Sequence, residues 1–250
     1  MQKLWKGTPT AFKKNEYGVK RRLDVLFDAG FNPANQLILD LGAGACAYSR
    51  VMKDMHAQNI VSIDINRERL KKADRELNRL NCSASVLPFR QNCFDCALII
   101  EVLEHVDDDK KCIAEATRVL KDNAYLFITV PNSFFILETH GMRLLSTEIE
   151  NLLGWGIPFV SFFPPALRKY VERARIYSPK AIVKLLNTSN LHPFLISYMM
   201  PPLDKFDRGD TKVGNVNSKV TDTLRAFFSK IEKTPLRVLG AHVIVVVRKN

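Results

Sequence analysis

No stretch of the chain approaches the roughly 18 consecutive apolar residues of a membrane-spanning helix, and the opening run MQKLWKGTPTAFKK has no apolar centre of the secretion-signal kind. A cytoplasmic protein is therefore expected. Cysteine is scarce: Cys46, Cys82, Cys93, Cys96 and Cys112 are five in 250 residues. That is an odd number in a chain long enough to fold without staples, which suits a reducing compartment and argues against a disulfide scaffold. Internal repeats, low-complexity tracts and linker-like stretches are also missing, so residues 1–250 are expected to form one domain. Acidic charge is in short supply, and the net charge is +11. Such a surplus draws phosphate, whether in RNA, lipid headgroups or a phosphorylated substrate. The bases are scattered along the chain, however, and a solvated basic surface is the plainer reading.

What the chain does have is material for a core, with 46% hydrophobic residues. The spacing of apolar residues predicts a helix over 19–29, a buried strand over 37–41, a helix over 47–56 and a strand over 60–63 that ends at Asp64. A charged helix over 67–80 and a weak strand over 83–86 come next. They are followed by a strand over 97–100, a helix over 108–120, and a strand over 125–130 stopped by Pro131. This βαβα alternation implies a parallel sheet with helices on its faces. Over 133–177 it gives way to an aromatic, proline-bearing stretch that includes Phe134, Phe135, Trp155 and Phe159. A helix over 179–186, a strand over 194–198, a helix over 220–231 and a valine-rich strand over 242–247 complete the pattern.

The first strand runs into Asp40-Leu41-Gly42-Ala43-Gly44 and then into a helix. Glycines there let backbone N–H groups approach a ligand closely, without a Cβ in the way. With Ala47 the run also satisfies the looser dinucleotide fingerprint, so a nicotinamide enzyme has to be weighed. Asp40 argues against it, because a carboxylate at that turn repels a pyrophosphate and attracts a ligand with ammonium and sulfonium charges. Asp64, at the end of the second strand, is placed to accept hydrogen bonds from ribose hydroxyls.

The runs LILDLGAGACAYSR, IVSIDINRERL, LPFRQNCFDCALIIEVLEHV and RVLKDNAYLFITVPN resemble the successive motifs of class I S-adenosylmethionine (SAM)-dependent methyltransferases. The likeness is strongest to the group that contains the ubiquinone-biosynthesis O-methyltransferases. It implies a doubly wound α/β fold with a mostly parallel, seven-stranded Rossmann-like sheet and an antiparallel last strand. A lid over 133–177 would be inserted between strand 5 and the next helix, and residues 1–30 would form an N-terminal cap. By the same resemblance, Asp40, Gly42 and Gly44 hold the methionine part of SAM, Asp64 holds the ribose, and Ile65 also belongs to the cofactor site. Leu87 borders the adenine, and Glu101 lies beside the methyl donor. One departure is that Ser83 stands nearest to where relatives place an acid for the adenine amine.

For transfer to a hydroxyl, an acceptor must be held in line and its proton removed. Glu101, Glu104 and His105 share one face if they begin a helix. Their E-x-x-E-H run resembles the metal-binding run of some O-methyltransferases, with His140 as a further ligand. A divalent cation is thus an option rather than the default; without it, His105 or His140 takes the proton, and Glu101 completes the catalytic set. Cys93-x-x-Cys96 has no second pair, so a zinc site is not expected. The aromatic lid suits a small-molecule or lipid-linked acceptor, with peripheral membrane contact as an option. RNA methylation and a non-catalytic SAM-binding role are the alternatives.

Overall fold

In the computed structural model, the run Leu37–Leu41 is a strand, β1, paired in parallel on both sides: with β2 (Asn59–Asp64) and with β4 (Phe94–Ile100). The structure describes residues 16–137, 142–144, 147–149, 158–163, 174–209 and 216–250. Beyond β2 lies the edge strand β3 (Asn78–Asn81), and beyond β4 lies β5 (Leu120–Pro131), both parallel to their neighbours. A short hairpin of β6 (Met142–Leu144) and β7 (Thr147–Ile149) stands apart. The main sheet is completed by β8 (Pro193–Met199) and β9 (His242–Arg248), in the order β3-β2-β1-β4-β5-β9-β8. β9 is the last strand in sequence and runs antiparallel to both β5 and β8. The expected seven-stranded, mostly parallel sheet with an antiparallel last strand is the one observed.

The sheet is buried on both faces, and the period of 2 along each strand divides its side chains between two cores. Ile38, Leu98, Phe127 and Ile244 face helices α1 (Tyr17–Asp28) and α2 (Ala47–Asp54). Leu39, Ile99, Ile128 and Val245 face the layer formed by α4 (Asp109–Val119) and α5 (Pro179–Asn187). Between α2 and α4, the helix α3 is only one turn, Arg67–Leu70.

That short α3 corrects the expected helix over 67–80. Asn66 caps it through its side chain, and Arg79 Nη1 then donates to the Leu70 and Ala73 carbonyls. Leu70, Ala73 and Leu77 still reach a small core with Cys46, so the apolar spacing was real although no helix continues through it. The strand expected over 83–86 lies instead at 78–81. Its sequence, NRLN, is polar, and the strand is a short, largely exposed edge with no buried face to demand hydrophobic alternation.

At the other end of the chain, α6 (Asp204–Arg208) packs on α7 (Ser218–Ile231) through a buried Arg225. Its guanidinium pairs with Asp207, with Asp204 at 3.3 Å and with Asp222 at 3.3 Å, and it donates to the Pro202 carbonyl at 3.0 Å. Replacing Arg225 with methionine removes the cation that faces buried carboxylates. The expected cost is about 3 kcal/mol, read as a lower urea midpoint at unchanged slope.

Candidate active site

The chain leaves β1 through two residues in the left-handed region, Gly42 (φ +66°) and Gly44 (φ +55°). A Cβ on Gly42 would lie 2.4 Å from Val102 Cγ2, whereas a Cβ on Gly44 would meet nothing within 4 Å. Gly42 is therefore required by its own neighbour, and Gly44 opens onto free space. The turn is fixed from β2: Ala43 N donates to the Ile63 carbonyl at 2.8 Å, and Gly44 N donates to Asp64 Oδ2 at 2.8 Å. The other oxygen of Asp64 accepts from Asn66 N at 2.7 Å.

A cavity of about 440 Å³ opens over this turn, within the range of small-ligand sites. Gly42, Asp64, Ile65 and Ser83 to Ser85 are among the residues that line it, with Ile65 77% exposed. Glu101, Val102, His105 and Lys111 complete the lining, with Val102 packed against Gly42. The segment expected as a strand over 83–86 is thus a turn, closed by Val86 N donating to the Ser83 carbonyl, and its first three residues line the cavity. Leu87, expected at the adenine, is not in the lining. Its N–H donates to Glu115 Oε2 and its carbonyl accepts from Arg118 Nη2, which draws its side chain into the core beneath α4.

Asp40 also lies outside the lining, buried under the turn at 1% exposure. Its Oδ2 accepts from Ser49 Oγ at 2.7 Å, and Ser62 Oγ donates to Ser49 Oγ at 2.7 Å. Burial pushes its carboxyl up to about 7; hydrogen bonds from Ser49 oppose the rise and the nearby Asp64 charge adds to it. Asp40 therefore joins β1 to the first turn of α2, and its charge reaches the cavity from below.

Glu101 leaves β4 at φ +55°, strained backbone for a non-glycine residue and a recurrent feature of functional sites. Its Oε1 accepts from Thr129 Oγ1 at 2.8 Å and lies 3.1 Å from His242 Nδ1 and 3.7 Å from Arg22 Nη2. Arg22 comes from α1 and also reaches the Tyr48 hydroxyl at 3.4 Å. The sequence reading missed both Arg22 and His242. The one available signal was a polar residue on the buried side of an amphipathic helix and another opening a valine strand.

Residues 101–106 form a turn, and α4 begins only at Asp109, so the helical face expected for Glu101, Glu104 and His105 does not form. Glu101 and His105 meet at the cavity, but Glu104 is turned inward. Burial, followed by the charge of Glu101, holds its carboxyl well above the ordinary range, and a protonated carboxyl is a poor metal ligand. His140 lies outside the described residues. Among those residues, no group of three or more His, Cys, Asp or Glu is placed to hold a metal ion. Cys93 and Cys96 are free thiols, the latter buried within β4.

A left-handed glycine turn at the strand-order switch between β1 and β4, with an acid ending β2 and another following β4, is the arrangement of a nucleotide site in a doubly wound α/β fold. Residues 39–128 match the family model described as a methyltransferase domain, so the chain carries such a domain, and SAM is the cofactor that this family implies. An uncharacterized protein of Methanocaldococcus jannaschii is 35% identical over 101 residues, covering 40% of this chain and 43% of that one. The ubiquinone/menaquinone biosynthesis C-methyltransferase UbiE of Edwardsiella ictaluri is 32% identical over 104 residues, covering 37% and 41% respectively. The chain thus spans about two fifths of the length of these curated relatives. The quinone-pathway likeness recurs, with C-methylation in that relative's name where the sequence motifs suggested O-methylation. Among solved structures, the SAM-dependent methyltransferase of Mesorhizobium loti superposes with a TM-score of 0.61 at 13% identity, over 94% of this chain and 98% of that one.

The residues present fit SAM. Gly44 leaves room where a side chain would stand, Asp64 and Glu101 both line the cavity, and Ile65 offers an exposed apolar surface for a nucleoside. No helix among the described residues is long and apolar enough to cross a membrane.

Proposed function

We propose that the chain transfers a methyl group from SAM to a hydroxyl of a small, lipid or lipid-linked molecule. The observation that carries this reading is a single cavity lined by Asp64, which ends β2, and by Glu101 and His105, which follow β4. When bound, SAM supplies an electrophilic methyl whose sulfur leaves with the bonding electron pair as a neutral thioether. Asp64 would accept the ribose hydroxyls with lone pairs not used by Gly44 and Asn66. The Gly42–Gly44 turn would bring backbone to the methionine part, over the Asp40 charge below. Glu101, fixed by Thr129, His242 and Arg22, presents negative charge toward the cationic donor.

His105 lines the cavity with its side chain about half exposed. It would take the acceptor's proton as the new bond to carbon forms. The same residue serves a second reading, methylation at a ring carbon beside a hydroxyl, which the name of the quinone-pathway relative favours. The aromatic stretch 133–177 and the residues of the N-terminal cap are proposed to cover the acceptor.

The test is calorimetry with SAM and with its demethylated product, followed by transfer of label from tritiated SAM to lipid, RNA and small-metabolite extracts. Tight SAM binding with label in a lipid or small-metabolite fraction is expected; label confined to RNA, or binding of NAD(H) in place of SAM, overturns the reading. His105→Gln is expected to lower the transfer rate by roughly 10²-fold or more while leaving SAM affinity unchanged.

A further inference from the structure

Helix α7 is turned the wrong way round for a surface helix. It buries Thr221 and Arg225 and leaves Val220, Leu224 and Phe227 exposed at 50%, 40% and 56%. These three stand at i, i+4 and i+7, so they form one apolar stripe along the helix. The 3₁₀ turn Pro235–Leu239 packs against α7 and extends the apolar surface, with Leu236, Val238 and Leu239 also exposed. An ordinary amphipathic helix faces its core with such a stripe. Here the inner side is occupied by the Arg225 ion cluster instead.

Charge is sorted across the same element. Its acids are engaged by arginines: Asp222, itself exposed, pairs with Arg225, and Glu232 pairs with Arg21 and accepts from Met200 N. The bases Lys219, Lys230, Lys233 and Arg237 are exposed, and none is in an ion pair with a described residue. Lys219 and Lys230 fall on one shoulder of the stripe at helical spacing. An apolar stripe bordered by unpaired bases matches an anionic bilayer surface, where the stripe enters the acyl boundary and the bases meet headgroup phosphate. A second protein offers no such match without an acidic rim of its own.

The place in the fold is also informative. Asn132 Nδ2 donates to the Val238 carbonyl at 2.9 Å and to the Gly240 carbonyl at 2.7 Å, which fixes the apolar turn at the end of β5. Two residues beyond Gly240, His242 contacts Glu101 at the cavity. The turn that extends the stripe is therefore anchored at the same end of the sheet as Glu101.

We propose that the α7 stripe with the 235–239 turn is a docking surface for an anionic membrane. It needs no assumption about the reaction, so its failure leaves the methyl-transfer reading standing. The probe is co-sedimentation of the full chain with phosphatidylglycerol-containing vesicles and with pure phosphatidylcholine vesicles, without SAM. Binding to the anionic vesicles that weakens with salt is expected. The pair Lys230→Gln and Lys233→Gln should weaken it roughly 25-fold, about fivefold per base. Leu224→Glu with Phe227→Glu should abolish it, while circular dichroism and Tm stay as in the parent because both sites are exposed. No binding to anionic vesicles, binding unchanged by the Leu224 and Phe227 substitutions, or a dimer of the parent chain that those substitutions dissolve, would each overturn the proposal.

Discussion

Gly42→Ala is expected to cost about 3 kcal/mol of stability and to weaken SAM binding by on the order of 100-fold. A non-glycine residue at φ +66° is strained by about 1 to 2 kcal/mol. The added Cβ would also stand 2.4 Å from Val102 Cγ2, and such overpacking adds a comparable amount. Val102 cannot retreat without consequence, because it lies between Glu101 and His105 at the cavity. A displacement of an ångström there moves the groups proposed to position donor and acceptor, which is where the expected loss of affinity arises. Gly44→Ala provides the contrast. Its Cβ enters open space, so only the backbone strain is felt by the fold, and the new methyl occupies room assigned to the ligand. Urea unfolding and SAM calorimetry on the two variants separate the effects. Equal destabilisation, or wild-type SAM affinity in both, would show that the turn is not a ligand cradle.

The second large effect is in pH and passes through Asp40. Its folded pKa is about 7, against about 3.9 in an unfolded chain. The native state therefore holds the extra proton between these values. As pH rises through that window the unfolded state releases its proton first, and stability falls by about 4 kcal/mol from this group alone. Ligand affinity should move in the opposite direction. A cation over the turn favours the ionised carboxylate, so SAM affinity is expected to rise by up to tenfold per unit from pH 6 to 7 and to level off above. Asp40→Asn should remove both slopes. At pH 8 it should be more stable than the parent by about 3 kcal/mol, after allowance for a weakened hydrogen bond to Ser49, and its affinity for SAM should be lower and flat with pH. Parallel profiles for the parent and the asparagine variant would assign the titration to another group.

Most of the sheet was legible because buried parallel strands announce themselves as apolar runs closed by glycine, proline or an acid. LILDL and FDCALII are of this kind, the antiparallel last strand HVIVVVR is as apolar and buried, and the helices between the strands carry the complementary 3.6-residue period. The errors fell where that signal is weak. The edge strand Asn78–Asn81 has no hydrophobic alternation, and the charged run after Arg67 reads as a helix until Arg79 is seen folding back onto its carbonyls. The candidate site shows the same division. Asp64, Gly42, Gly44 and Glu101 stand at strand ends, positions that sequence order alone identifies.

The sequence by itself determined the order of strands and helices, the glycine turn and the acids beside it, since each rests on contacts between residues close along the chain. Only the tertiary structure decided that Asp40 is buried beneath the cavity rather than within it, that Glu104 turns inward, and that Arg22 and His242 meet Glu101. It also decided which side of α7 faces out. Burial, and the pairing of charges far apart in sequence, are properties of the packed chain: a helix pattern shows that a stripe is apolar, and its neighbours decide whether that stripe is covered.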